Sequence, residues 1–373
     1  MKIMHLSDLH LGKHVNKFSM IEDQRYILDR IVDVADQEKP DAVIIAGDVY
    51  DVPQPPVEAM ELLDDFLDNL SKRNLHVFEI SGNHDSAARI AFGNKRLVEK
   101  MHISPVYAGN VECIRLNDEY GPVDFFMLPF VKPVIVRSIY PYEKIEDYTD
   151  AVKAAVSHMK IDSSHRNVLI AHQFVTGAER CDSEELSIGG LDNVDVSVFE
   201  PFDYVALGHI HKGQKVFRET VRYSGTPLKY SFSEINHKKS VTVVEFGSGK
   251  NPSIRTVPLK PLRDMREIKG SYDDVVNLQK SDDYLHIVLT DENEVPDAIS
   301  ELRKIFPNVM KLDYDNSRTR YMTDETDGVE NAVKIHPFDL FTRFFRERTN
   351  SEMNEDQKKF VRQVVAEIWE KDE

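Results

Sequence analysis

The 373-residue sequence contains only two cysteines, Cys113 and Cys181. A disulfide framework or a thiolate-rich zinc site needs more, so the sequence excludes both and suits a reducing compartment. No apolar run approaches the roughly 18 residues of a membrane helix, and Asp8 comes before a signal-peptide core could form. We therefore predict a soluble, cytoplasmic protein with no membrane segment.

The sequence is also short of basic residues. Its 47 Lys and Arg stand against 64 Asp and Glu, which gives a formal net charge of −17. Nucleic-acid binding through a general basic surface depends on neutralising phosphates, so this charge argues against it. Any nucleic-acid role must use local patches, metal ions or a partner protein.

Strand and helix patterns alternate through the first half of the chain. A short strand at 3–7, a helix around Ile27 and Ile31, the buried run AVIIAG, a helix over 57–70 and the strand HVFEIS predict a βαβαβ unit. Helix patterns follow near 86–100 and 142–160, and strands are predicted at 123–128, 167–172, 203–208 and 240–246. This mixture predicts sheets with helices packed outside them.

The composition changes near VPLKPLRD (257–264), where two prolines indicate a linker. Beyond it, a strand at 284–289, a helix over about 294–306 and a strand at 309–315 predict a small β-α-β domain. A polar stretch at 320–334 precedes the tail. We predict three segments: a large domain over 1–256, a small domain over 257–322, and a linker with helices over 323–373.

Metal-capable side chains follow five of the predicted strands. The segments are Asp8-Leu9-His10, Gly47-Asp48, Gly82-Asn83-His84-Asp85, Ala171-His172 and Gly208-His209-Ile210-His211. Because the carboxyl ends of neighbouring strands meet in one crevice, we expect these side chains to converge. At the first segment, an extended backbone would project Asp8 and His10 side by side.

The residue types limit the chemistry of such a site. Asp, Asn and His without thiolate suit Mn²⁺, Fe²⁺ or Zn²⁺ and are too rich in nitrogen for a Ca²⁺ or Mg²⁺ cage. Seven ligands fit two ions about 3.5–4 Å apart that share a carboxylate, an arrangement used for displacement at phosphorus. Asp48 is the expected bridge, since it follows the run that we predict to be a central strand. Each segment alone also has an ordinary interpretation: a surface pair, a turn, a helix cap or a loop with one hydrogen-bonded histidine.

The order of these motifs over about residues 1–246 resembles the calcineurin-like metallophosphoesterase superfamily. The resemblance implies an α/β, four-layer sandwich of two facing mixed sheets flanked by helices, here with a small α+β capping domain and a C-terminal helical tail. It also implies a role for each site residue. One metal ion would be held by Asp8, His10 and His211, the other by Asn83, His172 and His209, with Asp48 bridging and His84 acting on the phosphate and leaving group.

Differences from the motifs of two subfamilies narrow the resemblance to other members of the superfamily. Protein phosphatases of the superfamily carry GDxxDRG where this chain reads GDVYDVP. Purple acid phosphatases carry Tyr where this chain has Asp51, to which we assign no catalytic role. The segments MKIMHLSDLHLGK, GDVYDVPQPP, ISGNHDS, AHQFVTG, YVALGHIHKGQ and YSGTPLKYSFSE look more similar to bacterial nuclease subunits of double-strand-break repair complexes. That resemblance implies Mn²⁺-dependent cleavage of DNA, as an exonuclease on double strands and an endonuclease on single strands and hairpins. It further implies a partner ATPase and a homodimer within a heterotetramer.

The tail carries two amphipathic patterns. In HPFDLFTRFFRERTN the phenylalanines recur at helical spacing, and a second pattern near 355–371 places apolar residues on one face. The residues concerned are Phe338, Phe341, Phe345, Val361, Val364 and Ile368. These helices could pack on the chain's own core or dock on another protein's coiled coil. The resemblance favours docking on the partner ATPase.

Two other functions remain open at this point. A small-molecule phosphodiesterase or phosphatase would use the same ligands, and a non-catalytic scaffold for an ATPase would need none of them, so the intact set argues against a scaffold. Lys212, Lys215, Arg218 and Arg222 follow the last motif and could approach phosphates, or be ordinary surface charges.

Overall fold

The structure is a computed structural model that describes residues 1–92, 100–184, 193–317, 319, 341–342, 345, 353–354 and 357–361. The strands are β1 (Lys2–Leu6), β2 (His14–Val15), β3 (Phe18–Ser19), β4 (Ala42–Ala46), β5 (His76–Ile80), β6 (Met101–Ile103), β7 (Glu112–Asp118), β8 (Gly121–Leu128), β9 (Arg166–His172), β10 (Phe174–Val175), β11 (Asn193–Val194), β12 (Tyr204–Gly208), β13 (Gln214–Val216), β14 (Arg218–Tyr223), β15 (Ser240–Glu245), β16 (Ser253–Pro258), β17 (Met265–Gly270), β18 (Tyr284–Leu289) and β19 (Val309–Tyr314). The α-helices are α1 (Ile21–Glu38), α2 (Val57–Lys72), α3 (Ala87–Ile90), α4 (Pro133–Ile139), α5 (Tyr148–Ser157), α6 (Tyr272–Val276) and α7 (Ala298–Ile305).

Two six-stranded sheets form the large part of the described chain. The first has the order β16-β15-β1-β4-β5-β6 and the second the order β13-β14-β12-β9-β8-β7. Both are mixed: β1, β4, β5 and β6 run parallel, whereas β15 and β16 pair antiparallel. In the second sheet β8, β9, β12 and β14 are parallel, and β7 and β13 add antiparallel edges.

The sheets face each other across an apolar layer. Phe78 of the first sheet stacks on Phe125 of the second with 4.3 Å between ring centroids, and Ile44 and Val168 are fully buried in the same layer. A second apolar cluster lies between the first sheet and helices α1 and α2, and a third between the other sheet and helices α4 and α5. The predicted sandwich of two mixed sheets flanked by helices is confirmed.

Burial on both faces explains why β4 reads as an unbroken apolar run, AVIIA, with all five residues buried. Helix α1 instead shows the expected stripe, with Ile27 and Ile31 buried. The predicted βαβαβ order of the first sheet is therefore confirmed. It brings the carboxyl ends of β1, β4 and β5 to one edge.

Two predicted helices differ from those observed. Helix α3 ends at Ile90 and a turn follows at 91–92, while 93–99 lie outside the described residues. The helix predicted over 142–160 begins only at Tyr148, because the Asp147 side chain accepts a hydrogen bond from the Asp150 N–H and starts it there. Helix α4, which opens with Pro133, was not predicted.

The remaining described residues form a smaller α+β part. The chain divides into two compact units. The first comprises Met1–Glu267, Lys280–His286 and Phe306–Lys311, and the second comprises Ile268–Gln279, Ile287–Ile305 and Leu312–Glu373. A three-stranded sheet has the order β17-β18-β19, so the predicted β-α-β of β18, α7 and β19 is confirmed, and β17 and α6 add to it. The predicted segments 1–256, 257–322 and 323–373 stay predictions.

In the tail, Phe338, Val364 and Ile368 lie outside the described residues. Phe341 and Phe345 are helical; Phe341 is 44% exposed and Phe345 is half-buried. Val361 is helical and buried. No helix in the described part of the chain is both long and apolar enough to cross a bilayer.

Candidate metal centre

The loop after β1 does not continue the extended strand. Asp8 and His10 both take left-handed backbone conformations, with φ of 53° and 45°. The prediction that an extended backbone sets them side by side is therefore wrong; a turn of two residue types that tolerate positive φ does so instead. Backbone hydrogen bonds from Asp8 N to the Gly47 carbonyl and from His10 N to the Asp48 carbonyl, 3.0 Å each, join this loop to the one after β4.

One group of potential ligands combines the first and last motifs. Asp8, His10 and His211 are buried, and their ligand atoms lie within 4.8 Å of one another. The two Nε2 atoms of His10 and His211 are only 3.1 Å apart, and the His209 N–H donates to Asp8 Oδ1 at 2.9 Å. Burial raises the pKa of Asp8 to about 6 and lowers the pKa of His10 to about 3.

A second group lies beside the first. Asp48, His172 and His209 are again within 4.8 Å of one another. Asn83 Oδ1 lies 3.0 Å from His172 Nε2 and 2.9 Å from His209 Nδ1. Asp48 Oδ2 is 3.2 Å from His172 Nε2 and 3.9 Å from His10 Nε2, so this carboxylate borders both groups.

The protonation of His172 tests whether a cation fits. Its Nδ1 lies 2.8 Å from the Ala46 carbonyl oxygen and must carry the proton, because a carbonyl only accepts. The Nε2 lone pair then faces the oxygens of Asn83 and Asp48, and three acceptors around one point require a cation or an extra proton. Although burial alone would lower the pKa of His172, the Asp48 carboxylate raises it to about 9. The residues fit a divalent metal ion bound by nitrogen and oxygen ligands.

Two glycines make room for these side chains. A Cβ on Gly82 would lie 2.1 Å from Asp48 Oδ1. A Cβ on Gly208 would lie 1.9 Å from the Ala46 carbonyl oxygen and 2.7 Å from His172 Nδ1. The glycines in the predicted GN and GH motifs are therefore required by close approach.

His84 lies at the rim of the two groups. Its backbone N–H donates to Asp48 Oδ1 at 2.9 Å, and its ring meets His10 edge-on with centroids 4.8 Å apart. Its Nδ1 is 3.0 Å from the Asp51 carbonyl oxygen, which can only accept, so Nδ1 carries the proton and Nε2 is left for a substrate.

Asp51 itself contacts the site, which sequence reasoning did not foresee. Its Oδ1 lies 3.4 Å from His10 Nδ1 and 2.6 Å from Lys13 Nζ. Although burial opposes it, the contacts with His10 and Lys13 lower the pKa of Asp51 to about 2. The charge of Asp51 beside His10 Nδ1 favours the tautomer with its proton on that nitrogen, which leaves Nε2 as the ligand atom.

Three further residues support the site and were missed. Asp85 accepts hydrogen bonds from the backbone N–H groups of Val49, Tyr50 and Gly82 at 2.9–3.1 Å, which ties together the loops after β4 and β5. The helix-cap interpretation of its motif is wrong, because Ser86 occupies the cap position of α3 and makes no side-chain cap bond. Ser183 and Glu234 lie behind His211, and none of the metal-capable strand-end motifs includes either of them.

The basic residues after the last motif are engaged elsewhere. Lys212 pairs with Glu179, and Lys215 with Glu219. Arg218 donates to the carbonyl oxygens of Phe199 and Phe202, and Arg222 lies 3.4 Å from Glu219. These contacts favour the ordinary structural interpretation of all four.

Comparisons with known proteins agree over the whole chain. The family model described as calcineurin-like phosphoesterase matches residues 1–213, and the model described as Type 5 capsule protein repressor C-terminal domain matches residues 261–349. The SbcD subunit of nuclease SbcCD from Staphylococcus epidermidis is 31% identical over 383 residues, covering 100% of both chains. The protein of the same name from Staphylococcus saprophyticus is 32% identical and covers 99% of both.

Among solved structures, a dimetal phosphatase from Danio rerio matches with a TM-score of 0.42 and 11% identity, over 70% of this chain and 99% of that one. The family model covers more than half of the chain, and the curated relatives align from end to end. The chain therefore belongs to the calcineurin-like phosphoesterase family, among its SbcD nuclease members.

Proposed function

We propose that this protein is the nuclease subunit of an SbcCD-type complex and hydrolyses DNA phosphodiester bonds with two divalent cations, of which Mn²⁺ is the expected species. The observation that carries the proposal is the convergence of Asp48 with two ligand groups, in a chain that aligns end to end with SbcD subunits of nuclease SbcCD. The activities expected are exonucleolytic on double strands and endonucleolytic on single strands and hairpins.

In this proposal each side chain has a defined task. Asp8, His10 and His211 would hold one ion, and Asn83, His172 and His209 would hold the other, with Asp48 as a ligand to both. When bound, the ions would activate a water and polarise the phosphate oxygens. The buried loops fix the ligands beforehand, so little reorganisation is needed when charge develops on the phosphate.

In this proposal His84 acts from the edge of the two ligand groups. Its Nδ1–H donates to the Asp51 carbonyl oxygen. With a second proton, on Nε2, the imidazolium would donate that N–H to a phosphate oxygen or pass the proton to the leaving oxygen. His84 is half-buried and its ring rests against His10. A ring nitrogen of His84 lies within 4.8 Å of ligand atoms of His10 and Asp48, and we assign it to the substrate and not to an ion.

The partners follow from the same assignment. We propose that an SbcC-type ATPase binds the tail helices through Phe338, Phe341, Phe345, Val361, Val364 and Ile368; the exposed Phe341 and the 67% exposure of Phe360 support this. A second copy of the chain is proposed to bind α2 and the residues after α3, where Val57 is 61% and Phe92 88% exposed. The complex would then be a heterotetramer in the cytoplasm, where the free cysteines stay reduced.

One experiment tests the function. Wild type and His84→Ala are incubated with Mn²⁺ and either hairpin or linear duplex DNA, alone and with the SbcC-type ATPase and ATP. We expect wild type to cleave both substrates and the variant to lose cleavage by a factor of about 10² or more. Turnover of model phosphate esters without DNA cleavage would point to a small-molecule phosphodiesterase, and ATPase binding without any hydrolysis would point to a scaffold.

A further inference from the structure

A chain of buried hydrogen bonds runs behind His211. The His211 Nδ1 atom lies 2.7 Å from Ser183 Oγ, and Ser183 Oγ lies 2.6 Å from Glu234 Oε1. Glu234 is fully buried and forms an ion pair with Lys239, which is 8% exposed. None of these three residues belongs to a metal-binding motif.

Proton counting fixes the direction of this chain. Ser183 has one hydroxyl hydrogen, and the Glu234 carboxylate can only accept, so the hydroxyl donates to Glu234. The hydroxyl oxygen must then accept from His211, which places the imidazole proton on Nδ1. The lone pair of His211 is left on Nε2, the atom that faces His10 Nε2 at 3.1 Å.

Lys239 keeps Glu234 in its acceptor role. The three hydrogens of its ammonium group are used by Glu234 Oε2, by Thr226 Oγ1 at 2.6 Å and by the His211 carbonyl oxygen at 3.0 Å. The carboxylate therefore stays ionised.

The same residues could be mistaken for a third cation site. Cys181, His211 and Glu234 each offer a ligand atom within 4.8 Å of the others. The Ser183 hydroxyl, however, lies 3.1 Å from Cys181 Sγ and within 2.7 Å of the other two ligand atoms. A hydroxyl group already fills the position that a cation would need.

We propose that Ser183, Glu234 and Lys239 are positioning residues that set the tautomer and orientation of His211 for metal binding. The inference rests on the proposed metal centre and concerns its first ion. Histidine ligands commonly donate their other ring N–H to a carboxylate, and loss of that partner costs about 10- to 100-fold in metal affinity. Here the hydroxyl of Ser183 transmits the effect of a carboxylate that lies 3.7 Å from the ring nitrogen, beyond direct hydrogen-bond reach.

Glu234→Gln is the most informative variant, because it keeps the shape of the side chain and replaces the hydrogen-bond acceptor that faces Ser183 with a donor. Lys239 would hold the amide oxygen, so the amide NH₂ would face Ser183 and donate to its hydroxyl oxygen. Ser183 would then donate to His211 Nδ1, and the imidazole proton would move to Nε2, where it blocks the ligand atom. Ser183→Ala removes the connection without forcing the wrong tautomer, so its effect should be smaller.

The test uses the full-length chain and two readouts. Nitrogen NMR of histidine-labelled, metal-free protein reports which ring nitrogen of His211 is protonated, and titration with Mn²⁺ alone gives the number and affinity of bound ions. We expect Nδ1 protonation in the wild type, Nε2 protonation in Glu234→Gln, and about a 10- to 100-fold weaker affinity at one of two sites in that variant. Ser157→Ala, at a serine of α5 whose hydroxyl donates to the Ala154 carbonyl oxygen, should match the wild type.

Each outcome decides the proposal. An unchanged His211 tautomer in Glu234→Gln, or two Mn²⁺ sites of wild-type affinity in that variant, would overturn the proposal. If Glu234→Gln fails to fold, an unchanged Mn²⁺ affinity in Ser183→Ala would overturn it. If the wild type binds no Mn²⁺, the proposed function fails instead. The NMR readout of the metal-free protein still decides whether these residues set the tautomer.

Discussion

At the scale of single residues, the site is built from backbone conformations that most side chains avoid. Asp8, His10, Asp48 and His209 have φ of 53°, 45°, 48° and 102°. Such conformations cost about 1–3 kcal/mol each when the residue is not suited to them, and they persist where surrounding contacts fix them. In this protein the contacts are hydrogen bonds between the loops, and their result is the convergence of side chains from separate strands.

Substitution of Gly208 tests whether the loops pack closely around the site. We expect Gly208→Ala to lower the free energy of unfolding by about 1–3 kcal/mol, because its Cβ would displace the Ala46 carbonyl or the His172 ring. The variant should also bind one Mn²⁺ fewer at equal concentration. Urea denaturation and Mn²⁺ titration measure the two effects. Gly249→Ala is the control, since its Cβ would meet nothing within 4 Å; equal behaviour of the two variants would contradict the account.

The buried carboxyl group of Glu79, which is not one of the proposed metal ligands, should make the free energy of unfolding depend on pH. Glu79 is 1% exposed, and its Oε2 has no hydrogen-bond partner among the described residues. Burial together with Asp85 raises its pKa to about 8 from 4.5. The native state therefore holds a proton that the unfolded state releases between about pH 4.5 and 8, so the free energy of unfolding falls as pH rises through that window.

Glu79→Gln removes this proton linkage. We expect the variant to gain stability over the wild type as pH rises from 5 to 8, by on the order of 1 kcal/mol per pH unit. Urea denaturation of metal-free protein at several pH values measures it, with Glu245→Gln, an exposed residue of β15, as control. A stability difference that does not vary with pH would show that Glu79 titrates normally.

At the scale of elements, the spacing of apolar residues predicted many of the strands and helices, but it did not predict where two of the helices begin or end. The buried run of β4 and the stripe of α1 are local patterns, and both were correct. The end of α3 at Ile90 and the start of α5 at Tyr148 depend on a turn and on one side-chain cap, which the apolar spacing does not reveal. The seven proposed ligand residues lie in strand-end motifs, from which the family resemblance selects them. Ser183 and Glu234 lie outside those motifs, because only the fold brings them to His211.

Packing between the two sheets should dominate the stability of the large domain. We expect Phe125→Ala to lower the free energy of unfolding by about 3–5 kcal/mol, since Phe125 is fully buried against Phe78. Phe217→Ala is the matched control, because Phe217 is 75% exposed, and its effect should stay within about 0.5 kcal/mol. Chemical denaturation compares them, and similar losses would contradict the assigned core.

At the scale of the whole molecule, strong net negative charge and DNA cleavage are reconciled by local chemistry. A chain of net charge −17 gains little from general attraction to phosphates. The four basic residues near the last motif are already engaged in contacts within the chain. We infer that bound cations and the partner ATPase supply most of the attraction for DNA.

The tail should therefore be separable from catalysis. We expect Phe338→Ser with Phe341→Ser to abolish co-elution with the SbcC-type ATPase on size exclusion, while Mn²⁺ affinity and model-ester hydrolysis stay at wild-type values. Val134→Ser, a 63% exposed residue of α4, should leave co-elution intact. Loss of Mn²⁺ affinity in the double variant would mean that the tail belongs to the core of the enzyme.

The central claim is that seven side chains from both sheets hold two cations that share one carboxylate. Anomalous diffraction from crystals soaked in Mn²⁺ measures this directly. The account predicts two manganese peaks, one against Asp8, His10 and His211 and one against Asn83, His172 and His209, with Asp48 in contact with both. A single peak, or two peaks without a shared carboxylate, would contradict it.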